Sequence, residues 1–213
     1  MMLHEKYRPK ALSDVVGQAK AVAQIQSILD RGGFGGRALW LTGPSGTGKT
    51  TLARIVASSM ADDFNVVEFD SGDDIDAEAM DLIDDATRYC GMGRPGRAII
   101  INEAHRLNAR QIARFLGLLE RIPEHVVFIF TTSKDGEEKL FDDQIDASPL
   151  LGRCIQIRTT GQGFAKPMAE RLAAIARAEG WKEKPLAWFV GVMQDSKNSA
   201  RMALSTLEGG ALA

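Results

Sequence analysis

Gly43-Pro44-Ser45-Gly46-Thr47-Gly48-Lys49-Thr50 fills every fixed position of the pattern G-x-x-x-x-G-K-[ST]. The run before it, Ala38-Leu39-Trp40-Leu41-Thr42, is apolar and short enough for a buried strand. The run after it, Thr51-Leu52-Ala53-Arg54-Ile55-Val56-Ala57, has apolar residues at helical spacing. Strand, glycine-rich loop and helix in this order form a phosphate-binding loop. Gly43, Gly46 and Gly48 let the backbone curl so that successive N–H groups point inward, and the helix aims its positive end at the same place. Pro44, Ser45, Thr47 and Thr51 complete the loop and the first turn. Lys49 is expected to reach the outer phosphates, and the Thr50 hydroxyl to ligate Mg2+. The expected ligand is a nucleoside triphosphate.

A length of 213 residues suits one large domain, or a medium domain with a small one. The hydrophobic fraction of 45% is ordinary for a globular protein, and no apolar run approaches a membrane span. Charges begin at His4, Glu5 and Lys6 with no apolar block behind them, unlike a secretory signal. Cys90 and Cys154 are isolated, without metal-ligand spacing. These features predict a soluble cytoplasmic protein. A net charge of −2 argues against coating nucleic acid through bulk electrostatics, although a local basic surface is compatible with it. The stretch 70–85 carries eight Asp or Glu residues and no Lys or Arg, and reads as a solvated helix face.

Around the loop, apolar strands at 66–69, 98–101, 126–130 and 155–157 alternate with helical patterns. One such pattern has Ala21, Val22, Ile25, Ile28 and Leu29 on one face, and another has Met80, Ile83 and Ala86. A basic pattern covers 108–119. Alternation of this kind predicts an α/β fold with a parallel sheet buried on both faces. After Thr160, Gly161-Gln162-Gly163 reads as a linker. Helical periodicity alone follows, at 166–179, 185–193 and 198–208. The expected organisation is an α/β nucleotide-binding domain over 1–160 and a small helical lid domain over 161–213.

Hydrolysis requires acidic groups besides the loop. The apolar strand before Asn102-Glu103-Ala104-His105 would bring an oxygen ligand toward Mg2+ and a carboxylate toward the attacking water. This stretch resembles the D-E-A-H form of the Walker B motif in AAA+ ATPases of the clamp-loader clade. Glu5-Lys6-Tyr7-Arg8-Pro9 with Val16-Gly17-Gln18 is similar to the opening of replication factor C small subunits and bacterial clamp-loader ATPase subunits. The resemblance implies ATP and Mg2+ as ligands, with the adenine enclosed by Tyr7, Arg8, Pro9, Val15 and Val16. Tyr7 is also acceptable as a plain core aromatic. Phe128-Ile129-Phe130-Thr131-Thr132-Ser133 resembles the sensor-1 strand, with Ser133 at its phosphate-facing end. Leu151-Gly152-Arg153-Cys154 resembles the S-R-C motif, whose arginine enters a neighbouring subunit's site, and Arg201 falls at the sensor-2 position. Outside such motifs both arginines would read as surface residues. Glu103 is the expected base, with Lys49, Arg153 and Ser133 assisting. His105 reads as a cap or surface residue. Arg106, Arg110 and Arg114 repeat every four residues, so they would share one helix face. That face is either solvated or, by the resemblance, turned toward DNA.

The chain departs from the pattern at three points. Asn102 replaces the Walker B aspartate, keeping an oxygen but losing the charge, so weakened Mg2+ binding and slow hydrolysis are expected. Gly152 and Ser133 are small substitutions in their motifs. The chain also stops at Gly209-Gly210-Ala211-Leu212-Ala213, without the collar domain of clamp loaders; a minimal member, assembly through other surfaces and a piece of a longer protein all accommodate this. The resemblance implies homo- or hetero-oligomers with other AAA+ subunits, a sliding clamp or another replication protein as partner, DNA reached through the assembly, and no membrane. Three alternatives stay open. They are a non-hydrolysing structural subunit that lends Arg153 to an active partner, a branch-migration or helicase-type motor, and a DNA-bound filament regulator.

Overall fold

The apolar runs pair as parallel strands. In the computed structural model, described for residues 1–133 and 148–211, β1 spans Arg37–Thr42, β2 Val66–Phe69, β3 Arg97–Ile101, β4 Val126–Thr132 and β5 Ile155–Arg158. They form one sheet in the order β2-β3-β4-β1-β5, and every pairing is parallel. Leu39, Leu41, Ile100 and Ile129 face Ile25 of α2 (Ala19–Asp30) and Leu52 of α3 (Lys49–Met60). Trp40, Ile99, Phe128 and Phe130 face Ile83 of α4 (Ala77–Arg88) and Phe115 of α5 (Ala109–Leu119). Cover on both faces is why the central strands β1, β3 and β4 are continuous apolar runs instead of alternating. Phe115 meets Phe130 edge-on, with ring centroids 5.3 Å apart and planes at 86°. This contact holds α5 against the central strand, and such a pair adds about 0.5–1.5 kcal/mol beyond its buried area.

The strand order has a consequence for the site. β4 lies between β1 and β3, so the phosphate loop and Asn102 leave strands that are not neighbours. Thr131 of β4 bridges the gap, its hydroxyl donating to Asn102 Oδ1 at 2.9 Å. The carboxyl ends of these three strands, where the order reverses around β1, are the usual place for a ligand in such a sheet.

After a short helix α6 (Ser148–Leu151) and β5, three helices follow the linker: α7 (Ala165–Ala178), α8 (Leu186–Asp195) and α9 (Ala200–Thr206). They build a separate apolar cluster around Phe164, Leu172, Phe189 and Leu204. The N-terminal arm joins that cluster. It folds as α1 (Leu3–Lys6), buries Leu3 among the three helices and packs Tyr7 and Val16 at their edge. Lys6 Nζ and the Tyr7 hydroxyl both donate to Glu179 Oε1, at 2.6 and 2.5 Å. The Lys6 ammonium, then the Tyr7 hydroxyl, hold that carboxyl below its usual range. Gln18 is 2% exposed and clasps the backbone of Thr160, with amide to O at 2.8 Å and Oε1 to N at 3.0 Å. Beside it Gly17 has φ +71°, and a Cβ there would meet the Phe164 ring at 2.4 Å. Only glycine allows that approach.

Two expectations need correction. Arg106 does not lie on α5; it ends a short 3-10 turn at Ala104–Arg106, because Asn108 caps the helix that starts at Ala109. The three arginines therefore do not form one helical stripe. Arg106 pairs with Asp73 at 2.9 Å, and Arg114 with Asp81 at 2.9 Å and Asp84 at 3.1 Å. Arg106 and Arg114 thus pair with the acidic stretch 70–85, whose carboxylates stay largely exposed, as a solvated face would. His105 is not a surface residue either. It is 6% exposed, with Nδ1 3.1 Å from Thr132 Oγ1.

Candidate functional site

A cleft with about 1040 Å³ of empty space, its open mouth included, runs between the carboxyl edge of the sheet and the three C-terminal helices. One wall is the loop from Ser45 to Thr51. The loop's shape is held from beneath. Thr47 Oγ1 donates to Pro44 O at 2.7 Å and lies 2.7 Å from Thr159 Oγ1. Gly46 has φ +77°, and a Cβ there would sit 2.0 Å from Ser199 Oγ. Ser199 caps α9, and the next residue closes the contact, Ala200 N donating to Gly46 O at 3.1 Å. The loop thus carries the start of α9 directly on its backbone. Gly46→Ala is expected to cost about 2–4 kcal/mol, from a left-handed alanine plus the steric overlap. Thermal unfolding measures this, and an unchanged melting temperature would show that α9 is not seated there.

Lys49 is 6% exposed, and its ammonium donates to Gly43 O at 2.7 Å and Pro44 O at 2.9 Å. It sits at the first turn of α3, whose amino end opens into the cleft. Thr50 Oγ1 lies 3.1 Å from Asn102 Oδ1. The amide of Asn102 is fixed by its other side. Its Nδ2 donates to Glu68 Oε1 at 2.9 Å and Phe69 O at 3.2 Å, so its oxygen turns to Thr50 and Thr131. Glu68 is in turn bound by Arg54 Nε at 2.8 Å. Two neutral hard oxygens side by side at the end of a phosphate loop fit a Mg2+ shell, with one negative charge fewer than an aspartate would bring.

Glu103 follows β3 in the left-handed region, φ 45°. Its carboxylate accepts from Ser133 Oγ at 2.9 Å and lies 3.3 Å from His105 Nδ1. The Arg8 guanidinium bonds to Glu5 and holds that carboxyl below its usual range. The Nε of Arg8 and Nδ1 of His4, both residues of the cleft wall, are buried without a partner among the described residues. With the amide-rich loop and Lys49, the Arg8 guanidinium in the cleft wall suits a polyanionic nucleotide.

The structure brings most of the expected residues into one cleft: Tyr7, Arg8, Pro9, Val15 and Val16 from the arm, the loop from Ser45 to Thr51, Glu103, and Arg201 of α9. Gly43, Pro44 and Asn102 support the loop without lining the cleft. Ser133 touches Glu103 instead of the cleft wall. Arg153 is remote from its own cleft. Its Nη1 donates to Pro149 O at 2.9 Å and its Nη2 to Glu120 Oε1 at 3.1 Å. Sequence reasoning missed Asp14, Met168, Arg171, Ile175 and Leu204, which also line the cleft. The one available signal was an arginine within the apolar stripe of the 166–179 segment. Cys154 lies outside the site, and burial pushes its thiol up to about 12, which leaves it inert.

Residues 39–159 match the profile of the ATPase family associated with various cellular activities (AAA). The chain belongs to the AAA ATPase family. This AAA ATPase is 29% identical to DNA polymerase III subunit gamma/tau of Mycobacterium tuberculosis, over 63% of its own length and 27% of that protein. It is 30% identical to the replication factor C small subunit of Halobacterium salinarum, over 83% of its length and 52% of the relative. It therefore spans about a quarter to a half of these relatives, whose two classes bear out the resemblance to clamp-loader ATPases. A solved variant of Thermotoga maritima RuvB superposes with a TM-score of 0.72 at 25% identity, covering 93% of this AAA ATPase and 63% of RuvB. Among the described residues no helix is long and apolar enough to cross a membrane.

Proposed function

We propose that this AAA ATPase binds and slowly hydrolyses Mg-ATP as a subunit of a clamp-loader-like assembly in DNA replication or recombination. The observation that carries this reading is the shared cleft, where the phosphate loop, Glu103 and Arg201 face one another while Arg153 lies outside it. A site whose finger arginine is remote from its own nucleotide cleft needs a second subunit to complete it. ATP supplies the phosphoryl group that passes to water. Lys49 and the amino end of α3 hold the phosphates, Glu103 orients the water and accepts its proton, and Tyr7, Val15 and Val16 enclose the base. Arg201 couples the occupied cleft to the lid formed by residues 161–213. Arg153 of a neighbouring copy or of another AAA+ subunit offsets the charge that develops on the transferred group. The partners in this reading are a sliding clamp or related replication protein, and DNA reached through the assembly, in the cytoplasm.

Steady-state ATP turnover per subunit across protein concentration, with and without primed DNA, tests this. Specific activity that rises with concentration supports a shared site, whereas constant activity would mean each chain works alone. A second reading, a structural subunit that lends Arg153 to an active partner, is favoured by Asn102, and negligible turnover alone with restored turnover in a mixture would establish it. Asn102→Asp separates the two. The added charge beside Thr50 is expected to lower the Mg2+ concentration for half-maximal turnover about tenfold. The carboxylate it brings near Glu68 is offset by Arg54. An unchanged Mg2+ requirement would show that residue 102 does not face the metal.

A further inference from the structure

Helix α7 presents Met168, Arg171 and Ile175 to the cleft, at spacings of three and four residues that align them on one face. Met168 is 6% exposed and Ile175 2%, both within the apolar cluster of the C-terminal helices. Arg171 between them is partly buried, and it has no hydrogen-bond or ion-pair partner among the described residues. The carboxylates lining the same cleft are Asp14 and Glu103, and neither pairs with it. Several other arginines among the described residues have acid partners: Arg54 holds Glu68, Arg106 Asp73, Arg114 Asp81 and Arg153 Glu120. A partly desolvated guanidinium left unmatched in the same cleft as a phosphate-binding loop is costly without a ligand and favourable once an anion arrives.

We infer that Arg171 is a second lid cation for the nucleotide polyphosphate, acting beside Arg201; this rests on the nucleotide reading of the cleft given above. The two arginines come from different helices. Arg171 lies on α7, directly after the linker, and Arg201 in the first turn of α9, which sits on Gly46. A ligand held by both ties the two ends of the helical unit to the same phosphates. Lid closure then depends on how many phosphates are present, and Arg171 sets the preference for the triphosphate.

The test is equilibrium binding of ATP, ADP and adenosine to the intact chain and to Arg171→Met and Arg171→Lys. Methionine keeps the apolar stem, so the ligand-free melting temperature should hold. For Arg171→Met the ATP dissociation constant is expected to rise about tenfold, that of ADP less, and that of adenosine not at all, since one charge-assisted contact is worth roughly that factor. Arg171→Lys should recover part of the loss. An ATP constant within about twofold of the unchanged chain overturns the inference, as does an equal loss for adenosine, which would place Arg171 at the base or ribose. Lys49→Ala is the control for the underlying reading. If it too leaves ATP affinity unchanged, the cleft is not the nucleotide site; if it alone weakens ATP, the reading stands and only the role of Arg171 fails.

Discussion

Arg153→Ala is expected to remove nearly all ATP turnover, by about 10³-fold or more, while leaving ATP affinity unchanged. A finger arginine acts on the charge of the transition state and is worth about 10³–10⁵ in rate where it has been removed from related phosphoryl-transfer sites. Arg153 follows α6 and is held by Pro149 O and Glu120, away from its own cleft. Its loss should therefore damage a neighbour's site and spare its own. Mixing Arg153→Ala with Lys49→Ala gives the sharpest measurement. The first variant keeps a complete loop and lacks the finger, and the second keeps the finger and lacks the loop lysine. Turnover that reappears on mixing two inactive variants can come only from a site built across two chains. Full activity of Arg153→Ala alone would assign the finger role elsewhere. The exposed pairing with Glu120 is no obstacle to this, since ion pairs of that kind contribute little and exchange partners easily.

Glu103→Gln should lower turnover by about 10²–10⁴-fold with ATP still bound. The glutamine has the same shape and can still accept the hydrogen bond from Ser133 Oγ, so the local geometry at φ 45° is preserved. What it loses is the ability to take a proton from water. Equilibrium binding of a fluorescent ATP analogue, together with single-turnover hydrolysis, separates the two effects. Equal losses in binding and turnover would mean that Glu103 holds the ligand instead of serving as a base. Ser133→Ala is a milder version of the same test. It frees one oxygen of Glu103 but keeps the carboxylate, so its effect should be much smaller than that of Glu103→Gln.

Much of the site was legible because its motifs are local. A phosphate loop is eight consecutive residues, and its flanking strand and helix are visible in the apolar spacing of Ala38–Leu41 and Leu52–Ala57. The core positions Ile25, Met80 and Ile83 were readable for the same reason, since each repeats on one face of its helix. The arm residues Tyr7, Val15 and Val16 were assigned to the cleft by resemblance alone, because nothing in their spacing distinguishes a ligand wall from a core. The basic segment was misread through its own periodicity. A four-residue repeat from Arg106 to Arg114 implies one face only if the helix runs through all three, and the cap at Asn108 prevents that. The buried position of His105 was likewise invisible, since it depends on Thr132, which is 27 residues away.

The sequence by itself determined the alternation of strands and helices, the shape of the phosphate loop and the change to helices alone after Thr160. These depend on short-range pattern: period, glycine placement and the chemistry of consecutive residues. The tertiary structure alone decided the strand order that inserts β4 between the loop strand and the Asn102 strand, so that Thr131 links them. It alone seated α9 on Gly46, tied the N-terminal arm to Glu179 and aimed Arg171 into the cleft. Each of these joins residues far apart in the chain, where the deciding terms are close packing, desolvation and the pairing of charges. Such terms are properties of the assembled neighbourhood and leave no local signature in the residues that take part.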